Sequence, residues 1–134
     1  MYRVLVIQDR SPFVAPMCTV LEEVGLVAYH ETPMQLFESG RWSDPVDLLI
    51  LDLEPKEIPP NMRGWDILEM FMDFNHAGTE PAVVVMTESN EAPSRLLGNI
   101  HAVSAYLLKP VRTGELLSTV FQVLGLEGAP PVWG

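Results

Sequence analysis

Four polar side chains stand at or just after the ends of apolar runs, and their types together define a chemistry. Asp9 and Asp52 are carboxylates, which are hard oxygen ligands and suit Mg²⁺. A carboxylate can also attack phosphorus and form an acyl phosphate. The hydroxyl of Thr87 and the ammonium group of Lys109 can hold phosphoryl oxygens. If the fold brings these side chains together, they can support magnesium-dependent phosphoryl chemistry.

The apolar runs that precede these residues have the pattern of β-strands. Three of the five runs are continuously apolar, which is typical of parallel strands that are covered on both faces. The predicted strands are Arg3–Gln8, Leu26–Tyr29, Val46–Asp52, Ala82–Thr87 and Val103–Leu108.

Helical patterns fill the intervals between the predicted strands. The clearest is Thr113–Leu124, where Thr113 is the expected N-cap residue and Gly125 follows the apolar stripe. The weakest is Glu91–Ile100, because a proline and a glycine interrupt it. The other helices are predicted around Val14–Val24, Pro33–Gly40 and Trp65–Met72.

Strand–helix alternation repeated five times predicts an α/β domain. The expected architecture is a single doubly wound, five-stranded parallel sheet with helices on both faces. In such sheets, binding residues gather beyond the carboxyl ends of the strands, so the four polar side chains should meet at one edge. We expect residues 1–125 to form the domain and residues 126–134 to form a flexible tail.

The composition limits the classes of function. The chain has 134 residues, of which 48% are hydrophobic and 19% are charged, as in a globular domain. Its net charge of −10 argues against partners such as nucleic acid or an anionic membrane surface. Cys18 cannot form a disulfide within the chain, and the N-terminus has no signal-peptide pattern. A cytoplasmic location is therefore expected.

Taken in order, the four motifs resemble the receiver domain of two-component response regulators. These domains are the phosphoacceptor partners of sensor histidine kinases. The resemblance covers about residues 2–125 and implies a flavodoxin-like sheet with the strand order 2-1-3-4-5. The stretches that carry it are Val4-Leu5-Val6-Ile7-Gln8-Asp9, Asp47-Leu48-Leu49-Ile50-Leu51-Asp52, Val83-Val84-Val85-Met86-Thr87 and Ala105-Tyr106-Leu107-Leu108-Lys109-Pro110.

The resemblance implies a role for each residue at the sheet edge. Asp52 is the implied phosphoacceptor. The implied Mg²⁺ ligands are Asp9, Asp52 and the backbone carbonyl of Glu54. Thr87 is the implied switch hydroxyl that follows the phosphoryl group. Lys109 is expected to pair with Asp52 or its phosphate, and its bond to the following proline is expected to be cis.

The chain also departs from the family pattern. Gln8 replaces an acid, so it can reach the metal only through a bound water and brings no charge. Glu88 replaces a very small residue and is expected to repel an incoming phosphodonor, while Arg10 can offset this charge or compete for Asp9. Tyr106 is the implied aromatic switch residue. We therefore expect weak Mg²⁺ binding and slow phosphorylation, and the long proline-rich segment 53–63 has no assigned role.

Several functional hypotheses follow from these residues. The first is a stand-alone receiver, not an enzyme, that is phosphorylated by a histidine kinase or a phosphotransfer protein. It would signal by protein contact with an output protein or as a homodimer, through a face formed by the helix Glu91–Ile100, the strand Val103–Leu108 and the last helix. The second is a degenerate receiver that binds partners without phosphorylation. A haloacid-dehalogenase-like phosphatase needs a second Asp where Glu54 stands, and a flavin-binding domain needs a different first loop.

Overall fold

The computed structural model describes residues 2–40, 44–74, 80–88 and 103–126. Their elements are β1 (Arg3–Ile7), α1 (Val14–Glu23), β2 (Val27–Glu31), α2 (Pro33–Ser39), β3 (Leu48–Asp52), α3 (Gly64–Phe74), β4 (Ala82–Thr87), β5 (Ala105–Leu108) and α4 (Thr113–Leu124). The strands form one five-stranded parallel sheet in the order β2-β1-β3-β4-β5. The predicted fold class and sheet order are therefore confirmed. The helix predicted over 91–100 lies outside the described residues, as does the chain after 126.

The sheet separates two apolar cores, because alternate residues of its central strands point to opposite faces. All five residues of β3 are buried, so this strand is covered on both sides. Within the described ranges, no helix is both long and apolar enough to cross a membrane. On one face, α1 and α4 contribute Leu21, Leu116, Leu117 and Val120 to a core with Val4, Val6, Leu48, Ile50 and Val84. On the other, α2 and α3 contribute Leu36, Ile67, Leu68 and Phe71 to a core with Leu5, Ile7, Leu49, Leu51, Val83 and Val85.

Several predicted boundaries differ from the structure by one or two residues. β1 ends one residue earlier than predicted, and β3 and β5 each begin two residues later. The second strand runs over Val27–Glu31, two residues beyond the predicted end, because its parallel pairing with β1 continues until Glu31 lies opposite Ile7. Thr113 is not an N-cap residue but the first residue of α4. Arg112 holds the N-cap position with an extended backbone and no side-chain cap hydrogen bond.

The loop over residues 53–63 connects β3 to α3 and folds back onto the sheet. Its first residue, Leu53, lies so close to the first residue of α3 that a Cβ atom on Gly64 would lie 2.3 Å from the Leu53 carbonyl oxygen. Glycine is therefore required at the start of α3. Leu53, Ile58 and Met62 belong to the core on this face or pack against it, so apolar contacts fix the loop over the carboxyl edge of the sheet.

Candidate functional site

Asp52 and Lys109 form the centre of the polar cluster at the carboxyl edge of the sheet. The strand register pairs Asp52 with Met86 and Thr87 with Leu108, which brings three strand ends side by side. Lys109 Nζ donates a hydrogen bond to Asp52 Oδ1 at 2.5 Å, and Asp52 is only 8% exposed. The expected ion pair is therefore present. The peptide bond after Lys109 is cis, as the resemblance implied.

Glu54 joins this cluster through its side chain. One carboxylate oxygen, Oε2, accepts a hydrogen bond from Thr87 Oγ1 at 2.6 Å. The other, Oε1, accepts from the backbone N–H of Glu88 at 2.8 Å and from Lys109 Nζ at 3.3 Å. The backbone N–H of Glu54 donates to Asp52 Oδ1 at 3.0 Å. Glu54 thus links the strand ends of β3, β4 and β5.

The electrostatics follow from these contacts. Burial alone would raise the pKa of Glu54, but hydrogen bonds from Thr87 and Glu88 and the charge of Lys109 bring it below its ordinary value. Burial alone would lower the pKa of Lys109, but the hydrogen bond and charge of Asp52, followed by those of Glu54, raise it. The cluster therefore favours a charged ammonium group held between two acidic side chains.

Asp9 lies at the same edge but is bound to the loop rather than to the cluster. Its Oδ2 accepts a hydrogen bond from the backbone N–H of Lys56, and its Oδ1 accepts one from the N–H of Glu57, both at 2.7 Å. Arg10 strengthens this attachment, because its Nε donates to Glu57 Oε2 at 2.9 Å and its N–H donates to Oε1 at 3.1 Å. Arg10 therefore pairs with Glu57. The expectation that Arg10 competes with the metal required an ion pair with Asp9 instead.

Gln8 occupies the neighbouring position with an unusual side-chain oxygen. Its Oε1 is buried and has no hydrogen-bond partner among the residues that the structure describes. The backbone carbonyl of Gln8 accepts a hydrogen bond from His30 Nε2 at 2.8 Å, which fixes the end of β1. Gln8 and Lys109 also line an open groove of about 650 Å³, together with Phe13 and Leu116. This groove leads from solvent to the Lys109 side of the cluster.

The residues at this edge can be tested for their fit to Mg²⁺. Asp9, Asp52 and the carbonyl of Glu54 are hard oxygen donors, and the buried Gln8 Oε1 is an acceptor suited to a metal-bound water. Within the described part of the chain, no three His, Cys, Asp or Glu side chains are grouped so as to hold a metal ion. The types of donor atom therefore suit Mg²⁺. The number of charged ligands is lower than in a site built from three acidic side chains.

The predicted modulator Glu88 and the implied switch residue Tyr106 lie at the margin of the cluster. Glu88 directly follows β4 and contacts Glu54 through its backbone N–H, while the residue as a whole is exposed. Tyr106 lies in β5 opposite Val85 and is 36% exposed, and partial burial raises the pKa of its phenol. Neither side chain stands among the hydrogen bonds that connect Asp52, Glu54 and Lys109.

Sequence reasoning missed two features of the site. It assigned Glu54 a role through its backbone carbonyl, whereas the side chain makes the contacts with Thr87 and Lys109. It assigned no role to Glu57, whose backbone and side chain both fasten the loop. The available signal was an acidic residue two positions after Asp52, at the start of a long loop.

The comparisons with known proteins find matches among solved structures. No protein-family model matches the sequence, and no curated protein matches it significantly. Solved structures do match, and the three described below do so at a probability of 1.00. A response regulator receiver protein from Burkholderia phymatum is 25% identical, with 98% of this chain and 100% of that chain covered and a TM-score of 0.71. A CheY-like receiver domain protein from Methanospirillum hungatei JF-1 is 18% identical, with 93% and 94% covered and a TM-score of 0.75.

A third solved structure with the same fold is described with a bound metal ion of its own. The receiver domain of a sensor histidine kinase from Pseudomonas aeruginosa PAO1, described with a magnesium ion coordinated in the active-site cleft, is 14% identical. The match covers 92% of this chain and 98% of that chain, with a TM-score of 0.71. The chain therefore has the fold of response regulator receiver domains over most of its length, as the resemblance implied.

Proposed function

We propose that this chain is a receiver that accepts a phosphoryl group on Asp52 and signals through protein contacts. The observation that carries the proposal is the placement of the Asp52 carboxylate. It lies at the end of a fully buried central strand, beside the Lys109 ammonium group and next to the strand that ends in Thr87. A carboxylate held in this way is a suitable nucleophile toward phosphorus.

The residues around Asp52 divide the work of phosphoryl transfer. An oxygen of Asp52 forms the new bond to phosphorus while the bond from phosphorus to the donor breaks, and the leaving group keeps that electron pair. Lys109, Thr87 and the backbone N–H of Glu88 then hold the phosphoryl oxygens. Asp9, Asp52 and the Glu54 carbonyl, with Gln8 through a water, would hold Mg²⁺, which neutralises phosphoryl charge when bound.

The proposed partners follow from this chemistry. A sensor histidine kinase or a phosphotransfer protein supplies the phosphoryl group, and the chain itself is not an enzyme. The phosphatase alternative loses support, because the Glu54 side chain that would replace the general acid is engaged by Thr87 and Lys109. The degenerate alternative keeps one supporting observation, since the loop amides of Lys56 and Glu57 already bind the Asp9 carboxylate.

The proposal is tested by incubation with acetyl phosphate and Mg²⁺, followed by intact mass measurement. The wild type should gain the mass of one phosphoryl group, and Asp52→Ala should gain none. Asp73→Asn is the matched control, because it removes an exposed carboxylate on α3, away from the site. A circular dichroism spectrum like that of the wild type would show that Asp52→Ala keeps the fold. Labelling of Asp52→Ala at the wild-type rate would contradict the assignment.

Output is proposed to leave through β5 and α4. Tyr106 and Leu108 of this edge strand are 36% and 49% exposed, which leaves apolar surface beside Lys109. The proposed partner on this face is a second copy of the chain. Tyr106→Ala should weaken the affinity of the two copies by about tenfold, because truncating an aromatic residue at an interface commonly has an effect of this size. Sedimentation analysis of the phosphorylated chain measures the affinity of the two copies for each other. Tyr29→Ala is the control, because Tyr29 is 49% exposed on the opposite edge strand. An equal loss of affinity in both variants would argue against docking on the face formed by β5 and α4.

A further inference from the structure

Glu54 binds the same groups that the proposed phosphoryl group needs. These groups are the hydroxyl of Thr87, the ammonium group of Lys109 and the backbone N–H of Glu88, which we call the anion cradle. All three donate to the Glu54 carboxylate, at 2.6, 3.3 and 2.8 Å respectively. Charge-assisted hydrogen bonds of this kind are among the stronger ones in proteins. The anion cradle therefore holds a carboxylate that belongs to the chain itself.

The contacts of Glu54 and of an external phosphoryl group exclude each other. A hydroxyl has one hydrogen to donate, and so does a backbone N–H. The hydrogen of Thr87 Oγ1 points to Glu54 Oε2, and that of the Glu88 amide points to Oε1. Phosphoryl oxygens can accept these hydrogen bonds only after the Glu54 carboxylate has moved away.

The loop keeps Glu54 close to the anion cradle. Asp9 accepts hydrogen bonds from the N–H groups of Lys56 and Glu57, and the carbonyl of Glu57 accepts one from Met34 N at 3.0 Å. At the other end of the loop, the close approach of Gly64 to Leu53 fixes the return of the chain. A ligand tethered by so short a segment acts at an effective concentration on the order of millimolar or above.

We propose that Glu54 is a tethered anion that occupies the anion cradle and competes with phosphoryl transfer to Asp52. This inference rests on the proposed phosphoacceptor function and adds a regulatory residue to it. Only the fraction of molecules with an empty cradle binds the incoming group productively, so apparent affinity and rate fall by that fraction. No covalent bond to Glu54 forms or breaks, since its carboxylate only exchanges three protein donors for water.

The competition is tested by labelling rates with acetyl phosphate and Mg²⁺. Glu54→Ala should label about tenfold faster than the wild type, because it removes charge-assisted hydrogen bonds to the donors that the phosphoryl group uses. Glu54→Gln, which keeps the shape but loses the charge, should fall between the two. Glu54 is half-exposed in a loop, so both variants should keep the fold.

Two further variants separate displacement from simple charge. Glu88→Gln removes the same charge at the mouth of the site and should raise the rate by only about twofold, since exposed charges are screened. Glu69→Gln removes an exposed charge on α3 and should leave the rate at the wild-type value. If Glu88→Gln accelerates labelling as much as Glu54→Ala does, charge repulsion explains the faster labelling, and the proposal that Glu54 is a tethered anion is wrong.

Amide NMR spectra without donor read the occupancy of the anion cradle directly. The Glu88 N–H signal should shift in Glu54→Ala, because its acceptor is lost. Equal labelling of wild type and Glu54→Ala overturns this inference and leaves the proposed function intact. Failure of every variant to label overturns the proposed function and the competition with it, and the Glu88 signal then shows only whether Glu54 occupies the anion cradle. A shift supports Glu54 as the occupant, and an unshifted signal overturns it.

Discussion

The carboxyl edge of the sheet has two halves that were positioned in different ways. The half formed by Asp52, Thr87 and Lys109 follows directly from the strand register, and its side chains lie where parallel pairing puts them. The half around Gln8 and Asp9 depends on the loop 53–63, whose amide groups bind the Asp9 carboxylate. The half with Asp52, Thr87 and Lys109, which is the proposed anion-binding half, keeps the side-chain types of the receiver pattern. The half around Gln8 and Asp9, which is the proposed metal-binding half, has Gln8 in place of an acid, and its Asp9 is bound by the loop.

This contrast shows that the two parts of one site tolerate different kinds of change. The ends of β3 and β4 are held by backbone pairing on both sides, so Asp52 and Thr87 keep their positions as long as the sheet forms. The loop reaches Asp9 across 47 residues of sequence, as the hydrogen bond from Lys56 shows. Changes in the loop should therefore alter the proposed Mg²⁺ binding without moving Asp52.

The largest effect is expected from Lys109→Ala, which breaks the anion-binding half. The ammonium group contacts both Asp52 and Glu54. In the proposed function it is the positive charge, placed directly after β5, that binds the phosphoryl oxygens. Loss of such a group costs about a hundredfold in rate. Labelling with acetyl phosphate should fall by about that factor, while Mg²⁺ binding, measured by titration, should change far less. A normal labelling rate would show that the two halves are not divided in this way.

Gly64→Ala should produce the next largest effect, because it displaces the loop. The new Cβ would lie 2.3 Å from the Leu53 carbonyl oxygen, so backbone must move. Such overpacking costs about 1–3 kcal/mol of unfolding free energy, which a urea titration measures. Gly114→Ala is the matched control, since nothing lies within 4 Å of a Cβ there and helix propensity should improve. Equal stability of the two variants would contradict the close approach.

The same division explains what the sequence alone could predict. Continuous apolar runs such as Leu48–Leu51 define buried strands, and the residue after each run falls at the sheet edge. That is why Asp52 and Lys109 could be placed together before any coordinates. The second strand was predicted to end two residues early, because its apolar run ends at Tyr29 whereas the pairing with β1 continues through the polar residues His30 and Glu31.

The loop could not be predicted in the same way. Its position depends on hydrogen bonds from Lys56 and Glu57 to a carboxylate far away in sequence, and no local pattern encodes such contacts. The side chain of Glu54 likewise takes its place only once β3, β4 and β5 are assembled. Thr113 illustrates a smaller error, since threonine is a good N-cap residue but Arg112 has the extended backbone that the position needs.

The smallest effect is expected from Gln8→Asp, which restores an acid to the metal-binding half. Asp is one methylene shorter than Gln, so it fits the space of the Gln8 side chain, whose buried oxygen has no hydrogen-bond partner among the described residues and leaves room for a metal-bound water. An added carboxylate near a divalent ion contributes about 1 kcal/mol after solvent screening. Mg²⁺ should therefore bind about fivefold more tightly in this variant, as a titration followed by tryptophan fluorescence measures.

The control for this change is Gln122→Glu, which adds one negative charge on an exposed position of α4 far from the sheet edge. It should leave the Mg²⁺ affinity at the wild-type value, because a remote exposed charge is screened by salt. If Gln8→Asp binds Mg²⁺ no better than the wild type, the loss of one acid does not limit the metal. The hydrogen bonds of the loop to Asp9 would then be the limiting feature, and Glu57→Ala, which removes the Arg10 contact that fastens the loop, should raise the affinity instead.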